Sequence, residues 1–258
     1  MPKKLDYSKI AREQCERTAK IYYASRKRGD TANDLVEIPA MKKLIGEVGG
    51  KKVLDAGCGF GSYSIYCAQQ GADVTAVDIS PTMIGLAKEE AVEAGVKIDF
   101  RVRDAAHLED IPDEAFDMAI SSVAACFNMP TFFKEMARVL KPGGAFCFSD
   151  VHPMLGSSKK VGQGKDSVRM VDRYFQRGIR KAMNVFGKIA PEDEDYEWRW
   201  EHYTLEDYCT SMQQAGLVIE TLWEPQPDPS TRHLNPDLYD RAEKFPFFVL
   251  IRATKMNI

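Results

Sequence analysis

The chain has 258 residues, of which 44% are hydrophobic and 28% charged, with a formal net charge of −3. That length can bury a large core, and the near-neutral balance gives no reason to expect nucleic acid or an anionic membrane as a partner. No apolar run is long enough to span a membrane, and the charged opening "MPKKLDYSKIAREQCERTAK" has no apolar signal-peptide core, so a cytoplasmic protein is expected.

In chain order, residues 5–23 read as a helix and 35–46 as a second, capped by Asn33 or Asp34. "KKVLDAG" then reads as a short buried strand, "GSYSIYCAQQG" as a helix ended by Gly71, and "DVTAVDIS" as a strand. "PTMIGLAKEEAVEAG" is a helix with Pro81 in its first turn and Gly95 past its end. Strands are predicted at "KIDFRVRD", "FDMAISSVAA" and "AFCFSDV", with the helix "TFFKEMARVL" stopped by "KPGG". Residues 152–203 break the rhythm with strongly charged sequence, after which "TLEDYCTSMQQAG" is a helix and "LVIETLWEP" and "FPFFVLIRATK" are strands separated by a Pro/Asp-rich loop. Strands alternating with helices imply a doubly wound, Rossmann-like α/β fold with a mostly parallel sheet.

Three glycines at every second position, "DAGCGFG", follow the first strand. In such folds ligands bind outside the carboxyl ends of the strands, and glycine lets main chain approach a ligand closely. Asp55 just ahead of Gly57 would repel a pyrophosphate but suits a ligand ammonium. Asp78 ends the second strand, where ribose hydroxyls bind in doubly wound folds. Asp104, after the third strand, can accept from an adenine amino group beside Ala105. An ammonium, a ribose and an adenine together describe S-adenosylmethionine.

The run DxGxGxG followed by "VDIS", "RDAAHL", "FDMAISS" and "LKPGG" resembles the class I S-adenosylmethionine-dependent methyltransferases, most closely over residues 50–151. The resemblance implies a seven-stranded sheet whose last strand is antiparallel, with residues 217–254 supplying the final pair. It implies that Asp55, Gly57, Cys58 and Gly59 line the methionine end of the cofactor, with Tyr23 or Arg28 reaching the methionine carboxylate from the N-terminal region. Asp78 would take the ribose hydroxyls, Ile79 and Met83 would lie at the adenine, Asp104 and Ala105 would hold its edge, and Ser121 would lie near the sulfonium. Residues 1–48 would form a helical cap and 49–258 the methyltransferase domain, with 152–203 as a lid insertion over the acceptor. The stretches "NDLVEIPA" and "HYTLEDY…AGL…EPQP" are similar to the small-molecule branch, so the expected partner is a small-molecule substrate bound by a monomer or homodimer. RNA or protein methylation, or a non-catalytic cofactor-binding subunit, are the alternatives, and a nicotinamide-dependent oxidoreductase is opposed by the glycine register and Asp55.

Of four histidines, His152 follows the fifth strand at the rim where chemistry occurs, and a histidine there can act as general base; hydrogen bonding of its ring to backbone is the equally open structural reading. His202 and Tyr203 precede a predicted helix and are the other catalytic candidates. Residues 159–188 are rich in Lys and Arg, Arg169 among them, and read either as a solvated hairpin or as a wall that attracts an anionic substrate. The six cysteines are scattered, with no CxxC pair and no Cys/His cluster, so no metal site is expected.

Overall fold

The computed structural model describes residues 6–125, 127–162, 168–183 and 197–257. Strands β1 (Lys52–Ala56), β2 (Asp73–Asp78), β3 (Asp99–Val102), β4 (Phe116–Ser122), β5 (Leu140–Val151), β10 (Leu217–Trp223) and β11 (Phe248–Lys255) form one sheet, ordered β10-β11-β5-β4-β1-β2-β3. β11 runs antiparallel to both its neighbours and the other pairs are parallel. The strand order reverses between β1 and β4, which places the crevice of a doubly wound sheet at their carboxyl ends.

Helices cover both faces because the strands alternate their apolar side chains. Phe146 and Phe148 of β5 face Phe132 and Phe133 of α5 (Met129–Val139), and Tyr208 of α7 (Leu205–Gln214) joins them. Val53, Ile120, Cys147 and Leu250 face the other way, toward α2 (Ile38–Ile45), α3 (Ser62–Gln69) and α8 (Pro236–Ala242). Each fully buried Phe or Leu contributes about 1.5–3 kcal/mol. Helix α4 (Pro81–Glu93) lies over β2 and β3, and Ser80 caps it by accepting from the Met83 amide at 3.0 Å.

Helix α1 (Tyr7–Arg26) runs three residues past the expected end at 23. The expected second helix begins as a π turn, Asn33–Glu37, before α2. Residues 152–203 fold in part as a short helix α6 (Pro153–Gly156) and two antiparallel ribbons, β6 (Ser158–Val161) with β7 (Val168–Val171) and β8 (Gly178–Met183) with β9 (Glu197–His202). The acidic run at 191–196, and Lys165 and Lys188 of the basic stretch, lie outside the described residues. The Pro/Asp-rich loop contains helix α8, capped by Asn235.

The segment "KPGG", read as a helix stop and turn, is instead part of β5. Leu140 pairs with Phe116 and Ala145 with Met118, so the residues between bulge out of the ladder. A Cβ on Gly144 would sit 2.8 Å from the Lys141 carbonyl oxygen and 3.3 Å from that of Asp117. Both are backbone atoms and cannot swing aside. Gly144→Ala is therefore expected to lower stability by about 1–3 kcal/mol, read as a lower urea midpoint; an unchanged midpoint would show that the bulge relaxes freely.

Candidate functional site

The glycine loop between β1 and α3 is stitched to the end of β2. The amides of Gly57 and Cys58 both donate to the Val77 carbonyl, at 2.8 and 2.9 Å, and that of Gly61 donates to the Cys58 carbonyl. The Gly59 amide donates to Asp78 Oδ2 at 2.9 Å, while Asp78 Oδ1 accepts from the Ser80 amide at 2.9 Å. These amides turn inward, so they form no anion cradle of the kind that holds a pyrophosphate. Asp78 is only 8% exposed, and burial raises its pKa.

The three glycines have different neighbours. A Cβ on Gly57 would fall 2.2 Å from the Ala124 Cβ, and one on Gly61 would fall 3.3 Å from the Ala87 Cβ. At Gly59 nothing lies within 4 Å. Gly57 and Gly61 thus answer to the chain's own side chains, and Gly59, also at positive φ, borders open space. Asp104, Ala105 and Ser121 sit at the same rim, after β3 and in β4. Asp104 Oδ1 accepts from the Ala106 amide at 2.9 Å and Oδ2 from the Ser8 hydroxyl at 2.5 Å. The Ser121 hydroxyl is buried with no hydrogen-bond partner among the described residues. Ile79 and Met83 flank the start of α4, Met83 buried.

Helix α1 closes one side of this rim. Tyr7 stacks on Phe127, with centroids 5.6 Å apart, and Glu16 accepts from the Thr82 amide and hydroxyl at 3.1 and 2.8 Å. The Gln14 side chain makes two bonds to the Arg199 backbone, at 3.0 and 2.8 Å, tying α1 to β9. Tyr23 lies edge-on to Phe60 in the glycine loop, but its hydroxyl donates to Glu90. Arg28 is half-exposed and pairs with Asp30 at 3.4 Å. The arginine of α1 held inside is Arg26, at 2.9 Å from Asp34 and bonded to Tyr22.

Two buried carboxylates lie under α3. Asp55 accepts from the Ser64 hydroxyl at 2.5 Å, and burial pushes its carboxyl up to about 7. Glu37 accepts from Tyr63 at 2.6 Å, Ser122 at 2.8 Å and Ser149 at 2.6 Å, joining the π turn to the ends of β4 and β5. Glu37 escaped the sequence reading; its one signal is a charge inside the apolar run "LVEI".

The three residues expected to be catalytic hold the rim together. His152 is 1% exposed. Its Nδ1 accepts from the Met154 amide at 3.2 Å, and its Nε2 lies 2.9 Å from Glu224, though too poorly aligned for a hydrogen bond. Burial lowers its pKa despite that carboxylate. His202 is also buried, with Nε2 2.7 Å from the Tyr174 carbonyl and 3.2 Å from Ser157 Oγ. Tyr203 donates to Glu201 and accepts from the Met129 amide at 3.2 Å, and burial raises its pKa. Among the described residues no group of His, Cys, Asp or Glu side chains could hold a metal ion, and no helix is long and apolar enough to cross a membrane.

Asp55 has a pH consequence. Its folded pKa lies above its unfolded value, so the native state holds the extra proton between about pH 4 and 7, and stability falls as pH rises through that window. A three-unit difference corresponds to roughly 4 kcal/mol at most. Urea denaturation at pH 5 and pH 8 is expected to show a smaller loss for Asp55→Asn than for the unsubstituted chain; equal losses would show that Asp55 ionises freely.

A family profile described as a methyltransferase domain matches residues 54–148. A ubiquinone biosynthesis O-methyltransferase from Chelativorans sp. (strain BNC1) is 33% identical over 147 residues, covering 56% of this chain and 55% of that protein. The chain spans about half the length of the curated relatives it matches. Among solved structures, an S-adenosylmethionine-dependent methyltransferase from Mesorhizobium loti aligns with TM-score 0.71 at 26% identity, covering 85% of this chain and 97% of that one. A putative S-adenosylmethionine-dependent methyltransferase from Listeria monocytogenes aligns with TM-score 0.73 at 26% identity over 86% and 97%. The crevice built from Gly59, Asp78, Asp104 and Ser121 therefore lies within residues 54–148, the segment that matches a methyltransferase domain, on the fold that the two solved S-adenosylmethionine-dependent methyltransferases share.

Proposed function

We propose that this chain transfers a methyl group from S-adenosylmethionine to a small-molecule acceptor. One observation carries the reading. Asp78 clamps the Gly59 amide beside open space at the tip of β2, leaving carboxylate lone pairs for two vicinal hydroxyls. The cofactor fits the remaining donor set. Asp104 offers acceptor oxygens for an amino group, and the buried Ser121 hydroxyl, without a partner among the described residues, supplies a polar atom at the end of β4. Glycine-loop amides turned inward disfavour the pyrophosphate of a nicotinamide cofactor.

In this reading residues 1–48 cap the cofactor, and 152–203 cover the acceptor. When bound, S-adenosylmethionine supplies an electrophilic methyl group on a sulfonium. The protein's part is alignment and exclusion of water. Tyr7, Ser8 and Gln14 of α1 do this by tying the helix to Phe127, Asp104 and β9. We assign no proton transfer to His152 or His202, whose rings are buried and engaged by their own neighbours. An acceptor oxygen that arrives already ionised needs none. Tyr203 likewise positions Met129 and Glu201.

Calorimetric titration with S-adenosylhomocysteine tests the reading. Asp78→Ala is expected to weaken binding by about 1.5–3 kcal/mol, or roughly 10- to 150-fold. Unchanged affinity would remove Asp78 from the site. Tight binding without methyl transfer to any acceptor of a broad panel would favour a non-catalytic subunit instead.

A further inference from the structure

The ribbon β6–β7 carries an arginine, Arg169, that pairs with no acid among the described residues. In this ribbon Lys160 pairs with Arg169 and Lys159 with Met170, so directly opposed residues share a face and the two faces differ. Arg169 is turned toward the body. Its guanidinium lies 5.6 Å from the Phe245 ring centroid, and one of its nitrogens donates to Ser158 Oγ at 2.9 Å. Ser158 Oγ in turn donates to the Leu155 carbonyl at 3.0 Å. Half-buried arginines are ordinarily matched by carboxylates. Here both partners are neutral, and no carboxylate among the described residues lies within ion-pair distance of Arg169. A second cation acts on it: the charge of Arg241 of α8, whose Nε donates to the Asp237 carbonyl, opposes that of Arg169. Among the described residues the Arg169 fork, with five N–H donors, makes one hydrogen bond, to Ser158.

The place matters as much as the charge. Leu155 lies in the short helix α6 that follows β5, Ser158 opens β6 just after it, and Phe245 lies in the segment leading into β11. The His152 amide donates to the Phe247 carbonyl at 2.9 Å, so the guanidinium stands at the carboxyl end of β5. That is the rim that also carries the Ser121 hydroxyl on the adjacent strand β4. Phe245 against the guanidinium and Leu155 beyond Ser158 are partly buried and apolar.

We propose that Arg169, seconded by Arg241, anchors an oxyanion of the methyl acceptor, and that the acceptor is a small molecule with a carboxylate or phosphate group on an apolar body. This rests on the methyl-transfer reading. The planar fork over an aromatic ring binds such a group bidentately, and the neighbouring Leu and Phe side chains take the apolar part.

The test is calorimetry on the full chain saturated with S-adenosylhomocysteine, at constant ionic strength. Benzoate, phenyl phosphate and inorganic phosphate are the probes, and neutral benzyl alcohol is the control. Binding of benzoate or phenyl phosphate is expected, the better of the two naming the acid group, with benzyl alcohol and inorganic phosphate weaker. Arg169→Gln is expected to weaken the better probe at least tenfold and Arg241→Gln by a smaller factor. Arg169→Lys, which keeps the charge and loses the fork, should fall between. Lys159→Gln, on the outward face of the same ribbon, should change nothing, and S-adenosylhomocysteine affinity should be the same in all variants. The proposal is overturned if no anion binds the unsubstituted chain, if Arg169→Gln binds as before, or if Lys159→Gln weakens binding as much as Arg169→Gln. Failure of the unsubstituted chain to bind S-adenosylhomocysteine would instead overturn the methyl-transfer reading, because the anion titrations can be run without it.

Discussion

The Asp78 carboxylate is the constraint on which the site depends. One oxygen takes the Gly59 amide and the other the Ser80 amide, so a single side chain fixes both the glycine loop and the start of α4. Two elements far apart in sequence meet there around a space that neither fills. Holding a buried carboxylate in this way is costly unless its oxygens are hydrogen-bonded, and both are. In the proposed reading the same carboxylate also accepts from the ligand, so one group would serve as clamp and as recognition site.

A second layer of buried acids supports the first. Glu37 gathers three hydroxyls from α3, β4 and β5, and Asp55 takes a fourth from α3. Removing any one partner would leave a buried polar group unsatisfied, which costs about 1–3 kcal/mol. This network fixes the depth at which α2 and α3 sit on the sheet. It therefore sets the height of the glycine loop above the strand ends. Helix α1 then closes the rim through contacts to three separate elements, α4, β9 and the segment after β4.

Much of the fold was legible because it is written locally. Strand–helix alternation predicted the sheet, Ser80 was readable as the cap of α4, and Asp78 stood where a second-strand acid should. What was not legible depends on partners distant in sequence. Nothing near Gly57 announces that Ala124 demands its missing side chain. The sequence left His152 open between a general base and a ring hydrogen-bonded to backbone, and the Met154 amide two residues on makes such a bond. Nothing near His152 or His202 announces that Glu224 lies against the one ring and the Tyr174 carbonyl against the other. The bulge at "KPGG" looked like a turn because proline and glycine mark both; the ladder to β4 decides between them. Arg28, expected beside the methionine carboxylate, pairs with Asp30, and nothing local announces that Asp34 holds Arg26 inside instead.

The space bordered by Gly59, Asp78, Asp104 and Ser121 is proposed to receive a nucleoside joined to an amino acid. A crystal structure of the chain grown with S-adenosylhomocysteine tests it most directly. The account requires both ribose hydroxyls on the Asp78 carboxylate, the adenine edge at Asp104, and the sulfur at the β4 end of the crevice. A ligand found elsewhere, or a crevice left empty at saturating ligand, would contradict it.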